Sequence, residues 1–242
     1  MADMAKRAIV RLTPNNRHRV LFGHPWIFSN EILSVDGHAE PGDIVEVRDR
    51  RDKFVGQGYI NPQSAITVRM LTREEEQIDE AFIRERVRQA VHYREAIYGE
   101  PGPLGRSPKG YRLVFSEGDF LPGLIVDLFG GYLVFQTLTL GIDKWKETVL
   151  DALRDFVEPK GIYERNDAPV RELEGLTQQA RFIGRPFDPL VEMDENGVTI
   201  VVDTQKGQKT GYFLDQTDNR LAIRAFCPGK TVLDAFSYSG GF

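Results

Sequence analysis

Cysteine is almost missing from this chain: Cys227 is the only one in 242 residues. One thiol cannot close an intrachain disulfide, which excludes a disulfide-stapled secreted scaffold and makes a reducing, cytoplasmic location the default expectation. Long apolar runs are also missing. No stretch approaches the ~18 uninterrupted apolar residues of a membrane span, and the start, MADMAKRAIVRL, lacks the apolar core of a secretory signal. Histidine is sparse: His18, His24, His38 and His92 show no metal-ligand spacing and have no cysteine partners, which argues against a zinc site. There is no surplus of positive charge either, since 31 Lys and Arg stand against 36 Asp and Glu for a net charge of −5. The balance is uneven, however. Residues 1–73 hold 11 basic and 8 acidic side chains, whereas residues 74–242 hold 20 and 28. A nucleic-acid partner would therefore be met by the N-terminal third.

What is present is the patterning of a multidomain α+β protein; 41% of the residues are hydrophobic and 28% charged. KRAIVRL (residues 6–12) alternates like a strand. Three short strands follow, Ile44–Arg48, Phe54–Ile60 and Ile66–Leu71, with turns at Pro41-Gly42-Asp43 and Asp49 to Lys53. They predict a compact β-barrel over residues 1–73. Residues 74–98 place Ile78, Phe82, Ile83, Val87, Ala90, Val91 and Ile97 on one helical face, with Glu74-Glu75-Glu76 as the solvated helix start. A Gly- and Pro-rich linker spans Gly99 to Gly110. Strands are then expected at Tyr111–Ser116, Gly123–Leu128 and Tyr132–Leu138, the last two joined through Phe129-Gly130-Gly131. Asp143 is a candidate N-cap for a helix carrying Trp145, Val149, Leu153, Phe156 and Val157, followed by a strand at Gly161–Arg165. This is a strand-strand-helix-strand-strand unit over 74–190. Residues 198–202 and 211–214 read as a strand pair, and Gln216 to Phe226 as a helix.

Lys230–Ala235 reads as an apolar strand running into the glycine turn of VLDAFSYSGGF, which is how a doubly wound, Rossmann-like α/β domain opens. Such a strand needs parallel neighbours and crossover helices. The expectation is therefore that residues 191–242 begin a domain needing roughly 100–150 further residues, and that the chain is an N-terminal portion. Without those partners, the tail would either be partly disordered or pair with a second copy as a homodimer. Ser237 and Tyr238 interrupt a GxGxxG pattern, which favours a nucleoside such as S-adenosylmethionine over a dinucleotide pyrophosphate. Asp234, at the strand end, suits the methionine ammonium.

VLDAFSYSGGF resembles motif I of class I methyltransferases that modify cytosine-5 in large-subunit ribosomal RNA. GQKTGYFLDQTDNR (Gly207 to Arg220) resembles the segment that precedes that motif. GHPWIFSNEI and PGDIVEVRD with GQGYINPQSAITVRML resemble the family's PUA domain, an RNA-binding barrel. EGDFLPGLIVDLFGGYLVFQ and YERNDAPVRELEGL resemble its central domain. The resemblance covers nearly the whole chain in one order. It implies an S-adenosyl-L-methionine site with Lys209, Phe213, Asp215 and Arg220 joined by Asp234, Ser237, Tyr238 and Gly240, and ribosomal RNA as partner. Phe213 and Tyr238 could equally be packing residues, and Asp215 and Arg220 a surface ion pair. Methylation at C5 of cytosine needs a thiolate that adds at C6. The family's cysteine follows motif I, so Cys227 is read as a packed residue and the nucleophile is expected beyond residue 242. Arg48, Arg50, Arg51 and Lys53 are the candidates for RNA contact, or else a solvated turn; Trp26 is read as barrel core. Two other readings stay open: a non-catalytic RNA-binding module, and a dinucleotide-dependent oxidoreductase fragment.

Overall fold

The computed structural model describes residues 7–15, 17–99 and 109–242. Residues 1–6, the start of the predicted first strand among them, and most of the predicted Gly-Pro linker lie outside the described residues.

The N-terminal third is a six-stranded sheet made of β1 (Ile9–Leu12), β2 (Trp26–Phe28), β3 (Ile32–Asp36), β4 (Ile44–Arg48), β5 (Phe54–Ile60) and β6 (Ile66–Thr72), in the order β2-β6-β5-β4-β1-β3. All pairs are antiparallel except β1 with β4. Alternation buries Val10, Leu12, Val45 and Val47 on one side, with Ile27, Ile60 and Val68 completing the core. The expected barrel is a half-barrel, because the terminal strands β2 and β3 are not bonded to one another. Trp26 is half-buried, and its indole N–H donates to Glu117 at 2.6 Å, outside this core.

Helix α1 (Glu80–Tyr98) begins later than the sequence predicts. Asp79 caps it by accepting from the Phe82 amide at 3.0 Å, so Glu74 to Glu76 precede the helix. The second sheet contains β7 (Gly110–Phe115), β8 (Leu124–Phe129), β9 (Tyr132–Thr137), β10 (Gly161–Asn166) and β11 (Gln179–Ile183), in the order β11-β10-β9-β8-β7. Gly130 and Gly131, both at positive φ, make the tight turn between β8 and β9. Strands β9 and β10 are parallel, joined by a crossover through α2 (Leu140–Lys144) and α3 (Lys146–Val157). Asp143 is not an N-cap: it lies inside α2, and the break between the helices falls at Trp145. A one-turn helix α4 (Val170–Leu173) follows β10.

Helices α1 and α3 pack on one face of this sheet through Ile83, Val87, Leu113, Phe135, Val149 and Leu153. The other face is covered by a hairpin of β12 (Leu190–Glu195) and β13 (Val198–Asp203), which packs Val191, Met193, Ile200 and Val202 against Phe129, Val134 and Tyr163. Burial on both faces explains why β8 and β9 read as near-continuous apolar runs, whereas β10 buries Glu164 and Asn166, with Glu164 accepting from Lys146, Arg181 and Asn166.

The expected pairing of 198–202 with 211–214 is overturned. β13 pairs with β12, and residues 211–214 form a turn entering α5 (Thr217–Ile223). Gly211 at φ +140, with Val202 packed where a side chain would stand, fixes that turn. The expected strand at Lys230–Ala235 is also overturned: residues 227–242 form turns only, with Val232, Leu233 and Phe236 exposed. A strand needs bonded neighbours, and no strand among the described residues pairs with this segment.

The half-barrel and the central domain meet in a polar seam. The Tyr59 hydroxyl donates to the Pro122 carbonyl and lies 2.8 Å from Thr139 Oγ1. Buried Glu174 accepts from Arg69 at 3.0 Å and from Asn61 at 2.9 Å. Lys144 reaches Asp43 at 2.8 Å. No helix among the described residues is long and apolar enough to cross a membrane.

Candidate functional site

The segment between β13 and α5 is built by four anchors. Asp203 accepts from the amides of Gln205 (3.0 Å) and Lys206 (2.8 Å), turning the chain. Buried Arg165 donates to the carbonyls of Thr204 and Gly207. Thr210 donates to Asp127 at 2.5 Å, and Asp127, fully buried, also accepts both arms of Arg112 at 2.9 and 3.0 Å. Finally Glu195, at the end of β12, accepts from Arg220 Nε at 2.6 Å and Nη2 at 2.9 Å, from Thr217 at 2.8 Å and from Tyr212 at 3.2 Å.

On this base stand four of the residues selected from the sequence. Lys209 Nζ lies 3.0 Å from Asp215 Oδ1 and 4.5 Å from the centre of the Phe213 ring. Phe213 meets Tyr238 edge to face at 5.9 Å, and the Tyr238 hydroxyl accepts from the Gln208 amide at 2.7 Å. The Lys209 ammonium holds the Asp215 carboxyl below its usual range. Burial alone would raise the Glu195 carboxyl, but the bonds from Arg220 and Thr217 outweigh it and bring it below its ordinary value. Burial, with the Glu195 charge beside it, pushes the Tyr212 phenol up to about 12, so it stays a donor.

Arg220 lies beneath this corner rather than in it: it is buried, spent on Glu195 and the Phe213 carbonyl, and stacked 4.4 Å from the Tyr212 ring centre. Asp234, Ser237 and Gly240 lie exposed along the tail, where the Ser237 carbonyl accepts from the Gly240 amide at 2.9 Å. Cys227 is half-buried, with Sγ 3.4 Å from the Ile223 carbonyl.

Sequence reasoning missed Glu195, Tyr212, Thr210, Asp127 and Arg112. One signal was present. In LVEMDE the alternation puts Glu195 on the same strand face as Val191 and Met193, and a carboxylate on an apolar face calls for a buried cation.

Lys209, Tyr212, Leu214 and Asp215 form one wall of a cleft of about 590 Å³, with Tyr93, Ile97 and Tyr98 of α1 and Tyr111 and Arg112 of β7 opposite. A smaller hollow of about 210 Å³ lies on the half-barrel, lined by Thr13, His18, Asp49, Arg50 and Arg51. Among the four RNA candidates, Arg48 is tied to Glu46 and to the Asp52 carbonyl at 2.9 Å. Arg50, Arg51 and Lys53 are exposed on a turn held by Asp49, which accepts from the amides of Arg51 and Lys53.

Residues 10–73 match a family model described as a PUA-like domain. The chain is 36% identical over 233 residues to the Ribosomal RNA large subunit methyltransferase I of Salmonella arizonae, covering 96% of this chain and 57% of that protein. It is 37% identical over 234 residues to the protein of the same name from Pseudoalteromonas atlantica, covering 96% and 58%. Among solved structures, a candidate SAM-dependent methyltransferase from Streptococcus mutans superposes with a TM-score of 0.75 at 20% identity, over 96% of this chain and 58% of that one. A second, a candidate methyltransferase complexed with SAH, superposes with the same score and identity over 96% and 57%. These structures share the fold. The chain spans somewhat over half the length of the curated relatives it matches, and along nearly all of its own length it is similar to ribosomal RNA large-subunit methyltransferases, with a PUA-like domain at its N-terminal end.

Proposed function

We propose that this chain supplies the RNA-docking half-barrel, the central domain and the entrance to the cofactor site of an S-adenosyl-L-methionine-dependent methyltransferase acting on cytosine-5 of 23S ribosomal RNA. The observation that carries the reading is the similarity at 36–37% identity to large-subunit ribosomal RNA methyltransferases over 96% of the chain. The corner of Lys209, Phe213, Asp215 and Tyr238 fits part of such a cofactor. Phe213 and Tyr238 stand perpendicular in contact, so an adenine can stack on a free face of one ring rather than between the two, and a carboxylate kept charged by Lys209 can accept from an ammonium or a ribose hydroxyl. When bound, the cofactor supplies the electrophilic methyl group. Arg220 acts from below, holding the Phe213 carbonyl and thereby the ring. Asp234, Ser237 and Gly240 are assigned to the same site through the tail. The methyl-transfer nucleophile is assigned to none of these residues, since Cys227 sits against the Ile223 carbonyl.

Titration of S-adenosylhomocysteine into the chain is expected to give a dissociation constant far weaker than micromolar, with amide resonance shifts centred on residues 209–215 and 238. A micromolar value, about −8 kcal/mol, would show these residues to be a complete site. Shifts that avoid Lys209, Phe213 and Asp215 would remove the cofactor from this corner.

RNA contact is assigned to Arg50, Arg51 and Lys53, with Arg48 holding their turn. Changing the three to Ala should flatten the salt dependence of binding by roughly one unit for each phosphate no longer neutralised; an unchanged slope in filter binding refutes that assignment. The exposed side chains of Val232, Leu233 and Phe236 support a homodimer formed through the tail. Light scattering tests it by comparing the chain with a version ending at Cys227, which keeps the β12–β13 hairpin on the core.

A further inference from the structure

Three aromatic rings of the central domain stand more than half exposed on adjoining elements: Tyr93 at 59%, Phe115 at 52% and Phe120 at 58%. A single exposed apolar side chain is ordinary. Here each ring carries a guanidinium against its face, Arg94 on Tyr93 at 5.1 Å, Arg112 on Phe115 at 5.3 Å and Arg86 on Phe120 at 5.2 Å. The loop that presents Phe115 and Phe120 is built to keep them outward. Ser116 and Phe120 both sit at left-handed φ, +45° and +57°, a conformation unfavourable for side chains other than glycine. Asp119 holds the loop by pairing with both arms of Arg94 and by accepting from the Phe115 amide at 2.5 Å. The strained backbone thus buries neither ring.

The rings also have a direction. Arg86 and Tyr93 are seven residues apart on α1, hence on one helix face about 10 Å from each other along the axis. Phe120 lies on Arg86 at one end. Tyr93, Phe115 and Arg112 line the cleft whose far wall holds Lys209 and Asp215.

We propose that this row is a track for single-stranded RNA, whose bases stack on Phe120, Phe115 and Tyr93 as the strand is led to the cleft. The inference rests on the RNA reading above and adds a second contact surface to it. Every base offers a π face, so stacking on aromatic rings holds single strands without regard to sequence. Arg94 and Arg112 are already paired with Asp119 and Asp127, and Arg86 lies between the Phe82 and Phe120 rings, so the track offers flat faces more than net charge. Stacking on the three rings is therefore insensitive to salt, unlike binding at the half-barrel turn.

The test uses the full 242-residue chain, fluorescence anisotropy and a labelled single-stranded RNA of about 12 nucleotides. A variant with Tyr93→Ala, Phe115→Ala and Phe120→Ala should keep the wild-type thermal transition, because the three rings are exposed. It should bind about 10-fold or more weakly with the same slope of log K against log salt. A 4-thiouridine strand should cross-link to these rings, as mapped by mass spectrometry. Affinity within about 2-fold of wild type and no such cross-link would overturn the track, leave a protein as the occupant of the rings, and leave the Arg50-Arg51-Lys53 assignment standing on its own salt slope. A slope reduced by about one unit or more would mark the removal of a phosphate-binding cation and overturn the stacking role. Absence of RNA binding by the unmodified chain overturns the track and the RNA reading together.

Discussion

Replacing Glu195 by Ala is expected to cost about 3–5 kcal/mol of stability, the range for breaking a buried ion pair on one side only. Glu195 and Arg220 are 7% and 6% exposed as side chains. Removing the carboxylate leaves a guanidinium buried beneath the Tyr212 ring and takes away the acceptor of Thr217 and Tyr212. The loss should be local first: amides of residues 212–224 should exchange faster, because Glu195 ties α5 to β12 through both Arg220 and Thr217. Changing both partners to Leu should recover much of the loss, since no uncompensated charge remains. The acid limb follows from the direction of the carboxyl shift. The folded-state value lies below the ordinary 4.5, so between the two values the unfolded chain binds more protons than the folded one. The pair's contribution is full above about 4.5 and is lost as pH falls through the depressed folded value. The difference between wild type and Glu195→Ala in urea melts should shrink accordingly at low pH. A difference under about 1 kcal/mol at neutral pH would show that Arg220 finds other partners and that the pair does not organise the segment.

The sheets were legible where local chemistry and tertiary burial agree. Strands β4, β5 and β6 lie where alternation and the turns at Pro41-Gly42-Asp43 and Asp49 to Lys53 put them. Strands β8 and β9 were readable because Gly130-Gly131 specifies a two-residue turn. Strands β2 and β3 are too short to carry a period, and β12 was lost because its outward Glu192 and Asp194 make LVEMDE look like a loop. Its absence sent β13 to the wrong partner. Lys230–Ala235 misleads in the opposite direction: its apolar pattern reads as a strand, although a strand exists only with neighbours to bond. At the site, the resemblance of GQKTGYFLDQTDNR and VLDAFSYSGGF to methyltransferase segments implied Lys209, Phe213, Asp215 and Tyr238, which the structure brings together. It could not separate them from Arg220, whose burial depends on Glu195 lying 25 residues earlier. Nor could sequence show the row of rings, because Tyr93 comes from a helix and Phe115 and Phe120 from a strand end and a loop.

Gly141→Ala should produce the other large effect, by steric means alone. Gly141 is buried in α2, and a Cβ built there lies 2.0 to 2.4 Å from three ring atoms of Tyr59 on β5. Real side chains do not approach so closely, so either the ring or α2 must move. Tyr59 has little room: it is 2% exposed, and its hydroxyl is held by the Pro122 carbonyl and Thr139. Overpacking costs roughly 1–3 kcal/mol, and stranding a buried hydroxyl roughly 1–3 kcal/mol more, so a total of about 2–5 kcal/mol is expected in denaturant melts. Tyr59→Phe removes the hydrogen bonds without the clash and should cost only about 1 kcal/mol. Burial raises the Tyr59 phenol well above its ordinary range, so neither effect should vary with pH near neutrality. Adding Tyr59→Leu to Gly141→Ala removes the atoms that clash and should return part of the loss, which separates a steric cause from an intrinsic one. The seam also has a functional consequence. It fixes the half-barrel turn of Arg50, Arg51 and Lys53 relative to the exposed rings of the central domain, so on the RNA reading proposed above one strand would engage both at a high effective concentration. Gly141→Ala should therefore weaken RNA binding even though it touches neither surface, and the effects of altering the two surfaces should then fall towards those of two independent weak sites. A Gly141→Ala protein within about 0.5 kcal/mol of wild type and with unchanged RNA affinity would show that the seam yields to a methyl group and does not hold the two surfaces in register.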